Sequence, residues 1–489
     1  MKLRHLFTVL IVFVFASCES YDDGASVQVE DPSAKAIVGD VQQITDDVSS
    51  IEVNNIIASV LNKKKGRSED GYTISLIKDS VGKDCMICVN YDNDGGFVLI
   101  SAEKTYTPIL AYAEEGNFSI DGDLPPALQD WTNYTMHDIS ESEFLPADSL
   151  ASIACQWRKY EYTASPAVDN YPDDHDNGNL KNISWEEYLE CSRIMMDKMN
   201  EWNAKGYRYY EIDNYTGTTS IGDKDAIATY VQGRIHPQYM EDYWALTFVV
   251  EREVQRYSYG KGSVIKTNWC QDQGFNDNDG FIHYCEEKDE IKTYPAGCGP
   301  VAFGQIMYYY RYPTTYNWDA MPLNPPGNKE ASKLLSDIRT SMGSSFKYNK
   351  GELSTSTTVE GLYNGITSYG YSCDIVPGGN LTRVQLVEKS PLIMCSYLTK
   401  KGSEDPHIWI IDGGAGGSTD YYTEIWSFDY DKNFVIMHTD ESNITNHYYY
   451  INWGWGNFNG VYLSLVPNQH GYTGNRLYKA CINIKPINQ

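Results

Sequence analysis

The chain has 489 residues, of which 42% are hydrophobic and 13% aromatic, with 40 tyrosines supplying most of the latter. That length exceeds one ordinary core and implies two domains with connecting material, while the composition excludes a disordered polymer. The formal charge of −27, from 39 basic and 66 acidic residues, speaks against a nucleic-acid partner, because phosphate contacts need Lys/Arg patches and none stands out.

Met1-Lys2-Leu3-Arg4-His5 is a short basic region, and Leu6 to Ser17 is an apolar run too short to span a bilayer. The pattern predicts a signal peptide over 1–17. Small residues before Cys18 resemble a bacterial lipoprotein cleavage box, with Phe15 where Leu is usual. Cys18 would then carry the lipid, leaving an exported, outer-membrane or cell-surface protein; the alternative is plain secretion. No later stretch is apolar enough for a transmembrane helix, so membrane contact would run through Cys18 alone.

Residues 18–49 are polar and small, as expected of a tether. Residues 50–145 read as a small α+β unit. Its strands are Met86 to Asn90 and Phe97 to Ser101, joined by the hairpin signal Tyr91-Asp92-Asn93-Asp94-Gly95-Gly96, then Pro108 to Tyr112. Leu124-Pro125-Pro126 opens a helix carrying Leu128 and Trp131. Cys85 and Cys88 have C-x-x-C spacing within a strand and read as packing.

Residues 146–263 read as a linker with a helical insert and the expected processing site. Asp169 to Asn182 is charged and turn-rich. A capping box (Ser184, Glu187), a hydrophobic staple (Ile183, Tyr188) and a stop at Gly206 predict a helix with Trp185, Leu189, Met196 and Met199 as its apolar stripe. Tyr257 to Ser263 reads as a flexible, exposed boundary.

The larger unit is 264–489. Tyr294-Pro295-Ala296-Gly297-Cys298-Gly299-Pro300 is a turn and then a helix start, with Pro300 suited to the first turn and Pro313 to the stop. Ala302, Ile306, Tyr309 and Tyr310 predict one buried side. A thiol at a helix N-terminus meets unpaired N–H groups and the positive dipole end, which favours the thiolate nucleophile. Strand-like segments follow: Leu392 to Cys395, His407 to Gly413, Thr423 to Tyr430, Phe434 to His438, Tyr448 to Trp453 and Val461 to Leu465. His407 stands at a strand edge after Ser403-Glu404-Asp405-Pro406, where an imidazole can take and return a proton as base and acid. Asn452 can orient that ring, a neighbouring indole (Trp453) can shield the bond, and Gln271 can donate to an oxyanion together with the Cys298 N–H. Asp277-Asn278-Asp279-Gly280 lacks the first ligand of a calcium loop. Gly413 to Gly417 lacks the Lys-Ser/Thr of a phosphate loop and reads as a flexible loop. No metal and no cofactor enters this reading. The remaining cysteines of the eleven are scattered, and their spacing does not say which could pair.

Five motifs in order carry a resemblance: Trp269-x-Gln271-x-x-Gly274-Phe275-Asn276, Tyr294-Pro295-Ala296-Gly297-Cys298, Gln305-Ile306-Met307, His407-x-Trp409-Ile410-Ile411-Asp412-Gly413 and Asn452-Trp453-Gly454-Trp455-Gly456. Together, over most of 264–465, they resemble the streptopain family of papain-like cysteine peptidases, which includes interpain-type enzymes. Phe97 to Trp131 also resembles that family's inhibitory propeptide. Gly299-Pro300 and Pro406 depart from its usual residues. The resemblance implies an α+β fold, with a papain-like domain (a nucleophile-bearing helix plus an antiparallel sheet) behind a small α+β prodomain. It implies a zymogen whose partners are peptide substrates and its own prodomain, with Cys298 as nucleophile and His407 as general base and acid. Gln271 would serve the oxyanion hole, and Asn452 and Trp453 would orient or shield His407. A binding or inhibitor protein that retains the fold without catalysis, or a transglutaminase-like acyl transferase, are the alternatives.

Overall fold

The computed structural model describes residues 43–61, 71–79, 81–120, 124–157, 159–160, 185–211, 234, 247–349, 352–378, 388, 391–398, 407–429, 431–463 and 476–487. The expected signal peptide, Cys18, the 169–182 linker and the turn before His407 lie outside these residues. So do Ser184 and the side chains of Trp185, Glu187, Tyr188 and Leu189.

In chain order the first elements are α1 (Ser50–Leu61), β1 (Tyr72–Lys78), β2 (Asp84–Tyr91), β3 (Phe97–Ser101), β4 (Ile109–Ala113), α2 (Pro126–Ser140), α3 (Ala147–Trp157) and α4 (Trp185–Ala204). Then come β5 (Arg208–Glu211), β6 (Phe248–Lys261), β7 (Ile282–Cys285), β8 (Glu290–Thr293), α5 (Cys298–Tyr310), α6 (Lys329–Ser341), β9 (Ser345–Asn349), β10 (Glu352–Ser356) and α7 (Val359–Ser368). The last are β11 (Tyr371–Pro377), β12 (Leu392–Leu398), β13 (His407–Phe428), β14 (Phe434–Asn452), β15 (Gly460–Leu463) and β16 (Arg476–Pro486). The fold is mixed α+β with a large antiparallel sheet.

The chain groups into two compact units. One holds Leu145–Tyr257 and Ser418–Thr445 together with the N-terminal stretch up to Ser59. Its core is Cys191, Met195, Trp202, Phe248, Val250 and Phe428, and the Trp202 ring touches Tyr209, Phe248, Trp426 and Phe434 at 5.4–6.0 Å. The apolar face of α4 therefore runs through 191, 195 and 202 with Met199, which the predicted stripe includes, packed against it, whereas Met196 of that stripe is 46% exposed. The partners on β6 and β14 that grip Trp202 set that face, and helical periodicity alone cannot see them. Gly206 ends this helix region at φ 68, as its sequence predicts.

The second unit holds Val60–Phe144, Ser258–Gly417 and Asn446–Gln489. Its sheet runs β1-β2-β3-β4-β15-β14-β13-β12-β16-β11. The hairpin β2–β3 and the strand at 109–113 form where the sequence places them. Cys85 and Cys88 are buried packing residues in β2.

Two expected loops are strand here, although the first is exposed at Tyr257, Ser258 and Gly260 and falls where the two units divide. The stretch 257–261 belongs to β6, and Gly413 to Gly417 runs inside β13. Two of the glycines serve close approach: a Cβ on Gly416 would run into Tyr259 Oη and His447 Nδ1, and one on Gly413 into the Lys261 carbonyl. Tyr259 and His447 hydrogen-bond over the bare strand.

One apolar cluster lines one side of this sheet and includes α5, α6 and α7. A second joins Phe97, Leu99, Leu128 and Trp131 with Trp409, Tyr449, Trp453 and Tyr462. Strands β4 and β15 pair through Tyr112↔Val461 and Ala111↔Tyr462, and Trp131 Nε1 donates to the Leu463 carbonyl at 3.1 Å. The 72–140 segment and the C-terminal strands thus share a sheet and a core.

Candidate active site

Gly297 caps α5 with φ 95, a conformation that favours glycine, and a Cβ there would lie 2.9 Å from Thr355 Cγ2. Thr355 Oγ1 donates to the Pro295 carbonyl at 2.5 Å, and Ala296 N donates to the Gln271 carbonyl at 2.7 Å. Two bonds therefore hold the turn that presents Cys298, and one of them ties Gln271 to it. Cys298 is the first residue of α5 and 7% exposed. The helix is wrapped on all sides from Cys298 to Met307, rather than buried along one stripe, and Tyr309 is exposed. It sits between the sheet and α6, so every face of its first turns meets a partner.

His407 opens β13 opposite Ser396 of β12 and is 3% exposed. Its ring stacks on Trp409 (5.9 Å, 15° between planes) and on Trp453 (6.5 Å, 24°), with Trp455 edge-on at 6.5 Å. Three indoles cage the imidazole. Trp453, the indole singled out in the sequence, is one of the three. Trp409 and Trp455 are the other two, and the period-two spacing of 407 and 409 on one strand face signals the first of these.

Two contacts join the Cys298 helix to the loop that cages His407. Gly454 lies between Trp453 and Trp455 at φ 71, and a Cβ there would be 3.2 Å from Cγ1 of Val301, in the first turn of α5. Two turns along that helix, Gln305 Nε2 donates to Asn452 Oδ1 at 3.2 Å and Asn452 Nδ2 donates to Gln305 Oε1 at 3.0 Å. Asn452 Nδ2 also donates to the Thr267 carbonyl (2.9 Å), and its Oδ1 accepts from Gly454 N (3.0 Å). An Asn amide has two donors and two lone pairs. All four are engaged, so the orienting role expected of Asn452 toward the imidazole has no lone pair left. The amide instead clasps the helix to the loop. Gln305 Oε1 also accepts from Trp269 N at 3.1 Å, which brings the Gln271 segment into the same clasp. Gln305 is fully buried and has no role in the sequence reading. Its signal was a lone amide seven residues after Cys298, on the same helix face.

Behind the loop, Trp453 packs edge-on against Tyr462 at 5.4 Å, and Tyr462 against Trp131 at 5.1 Å. Rings thus run in contact from Trp131 to His407. Burial pushes the Cys270 thiol, beside Gln271, up to about 12, which leaves it protonated at neutral pH.

Asp412, farther along β13, accepts from the Ile265 N–H (2.8 Å) and from the Ser263 hydroxyl. Burial raises its carboxyl above the ordinary value despite those bonds. The folded state then holds this proton more tightly than the unfolded chain, so the contribution to stability is largest at low pH. It declines as pH climbs from the ordinary carboxylate value through the folded one. Asp412→Asn, whose amide oxygen can accept both bonds, is expected to remove up to about 1.4 kcal/mol per pH unit of that decline. Thermal melts of both proteins across the acidic range check it.

Among the described residues no group of three or more His, Cys, Asp or Glu side chains is placed to hold a metal ion, and no helix is long and apolar enough to cross a membrane. Residues 45–139 match the model of the Spi protease inhibitor family. The match supports a propeptide of that family. The matched segment contains Trp131 and strand β4, which pairs with β15, so the rings leading to His407 start within it. Among curated proteins the chain has no match.

Proposed function

We propose that this chain is the zymogen of an exported, lipid-anchored cysteine endopeptidase. It would have a prodomain near 50–145, a processing site within 146–263 and a papain-like catalytic domain near 264–489. The observation that carries the reading is the clasp between Gln305 and Asn452. It pins the helix that begins at Cys298 against the loop whose indoles cage His407.

In this reading His407 takes the Cys298 proton, and the thiolate attacks the scissile carbonyl carbon. The Cys298 N–H at the helix start and the Gln271 side-chain amide hold the resulting oxyanion. His407 returns the proton to the leaving amine, giving an acyl-enzyme. Water, deprotonated by His407, then releases the acid and restores the thiol. Trp409, Trp453 and Trp455 exclude water from the imidazole. By family resemblance the substrates are proteins with an apolar side chain two residues before the cleaved bond. Cys18 would carry the lipid, and the acidic surface leaves nucleic acid aside.

The propeptide segment would act through the loop at 453–462. Trp131→Ala removes a buried indole worth about 3–5 kcal/mol, so the segment should dock less firmly and activity should appear sooner after reductant is added. Gel and casein time courses check this.

The test of the whole reading uses chain starting after Cys18, incubated with reductant and followed by intact mass and casein digestion. Shortening to a fragment that begins within 146–263, with casein cleavage, supports it. A chain that stays whole, and stays inactive after an added protease removes the first segment, points to the binding or inhibitor protein instead.

A further inference from the structure

Three cysteines that the proposed chemistry does not use meet in the core beneath the sheet. Strand β16 lies between β12 and β11. Cys481 on β16 stands opposite Ile393 of β12 and opposite Ile375 of β11. Cys395 and Cys373 each lie two residues from those partners, so the period-two pleat puts all three thiols on one face. Leu392, Met394, Ala480 and Ile482 pack in the cluster on the other face, whereas Cys373, Cys395 and Cys481 share the cluster of α5. Cys373 falls at the register shift between Ser372 and Asp374, where the ladder departs from regular spacing. The neighbouring Cys481 thiol, followed by burial, holds the Cys373 thiol well above the ordinary range. Cys395 in turn helps to raise the Cys481 thiol above its ordinary value. All three are free thiols here.

We propose that Cys373 and Cys481 are a disulfide-forming site that cross-links β11 to β16 under oxidising conditions, with Cys395 left as the thiol beside it. Cys373 is 8% exposed, while the other two are fully covered, so a small-molecule disulfide reaches it first. The Cys373 thiolate attacks one sulfur of that disulfide, forming a mixed disulfide and releasing one thiol. The Cys481 thiolate then attacks the Cys373 sulfur and releases the second. Two cysteine thiols lose two protons and two electrons, and one disulfide molecule becomes two thiols. The bond would close about a hundred residues of chain, including His407 and Asn452, a loop length at which a cross-link constrains the unfolded state strongly. This inference does not depend on peptidase activity.

The test uses the full chain carrying Cys298→Ala, equilibrated with a reduced and oxidised glutathione buffer. The sample is acid-quenched, alkylated with N-ethylmaleimide in denaturant, digested and mapped by mass. A peptide pair joining Cys373 to Cys481, about 2 Da lighter than the two free thiol peptides, with Cys395 alkylated, is the expected result. Cys481→Ser should lose the pair, and Cys373→Ser, at the least covered position, gives the same reading if the first variant does not fold. Alkylation of all three, or Cys481 joined to any other cysteine, overturns the proposal.

Discussion

Replacing Cys298 by alanine is expected to lower casein hydrolysis by about 10⁵-fold and to leave the chain unshortened, because no other group can form the acyl-enzyme. The substitution removes one heavy atom from the start of a well-packed helix, a loss of about 1 kcal/mol, so the fold should persist. A fold-sensitive control separates the two effects: circular dichroism and the melting temperature stay close to those of the parent while activity vanishes. His407→Ala should match it in activity. The double variant should be no worse than either single one, since nucleophile and base act as one unit. Independent, additive losses would argue that the two residues do not act together.

Gln305→Leu is expected to have the next largest effect. Leucine roughly fills the volume but strands one donor and one acceptor of Asn452 and the Trp269 N–H, all in the core. At about 1–3 kcal/mol for each unpaired buried group, after partial relaxation, the loss of stability should be about 3–5 kcal/mol, read as a lower denaturation midpoint. Activity should fall through kcat more than KM, by about 10²-fold, because the loop that cages His407 loses its tie to the Cys298 helix. Gln305→Glu should not rescue it, since a carboxylate cannot donate to Asn452 Oδ1. Adding Asn452→Leu should cost less than the sum of the two single losses, because the Gln305–Asn452 bonds are lost only once while the Thr267 carbonyl and the Gly454 N–H lose their partner as well. An exactly additive double variant would mean that the clasp carries no coupling.

How far the fold could be read from sequence depended on whether the deciding partner lay nearby in the chain. The strands at 86–90, 97–101 and 109–113 and the helix after Pro126 were legible because turn residues and local patterning bound them. Strand β1 carries a period-two signal, Tyr72, Ile74 and Leu76 alternating with Thr73 and Ser75, which the sequence reading does not use. The face of α4 turns on Trp202, which helical period alone does not single out, because the aromatics that grip it lie far along the chain, at 248, 426 and 434. Gly413 to Gly417 looked like a loop because glycine usually marks one. Here it clears space for Tyr259 and His447, a requirement visible only in three dimensions.

In the candidate site the same division holds. Cys298 at a helix start and Trp453 beside His407 could be proposed from local patterns and motif order. Gln305, Trp409 and Trp455 could not be given roles, because those arise where α5, β13 and the 452–456 loop meet. The sequence marks Asn452, but its amide is taken up by Gln305, the Thr267 carbonyl and the Gly454 N–H, partners that meet only in the fold.

The central claim is that His407 activates the Cys298 thiol. The most direct measurement is the rate at which iodoacetamide alkylates each cysteine at about pH 6, followed by peptide mass after the propeptide segment has been removed. Burial holds the thiols of Cys88 and Cys270 at about 11 and about 12, so they should react slowly. Cys298 should be alkylated first, by at least about 10²-fold, and His407→Ala should abolish that lead. If Cys298 reacts no faster than the other cysteines, or keeps its lead without His407, the thiolate–imidazole pair is contradicted.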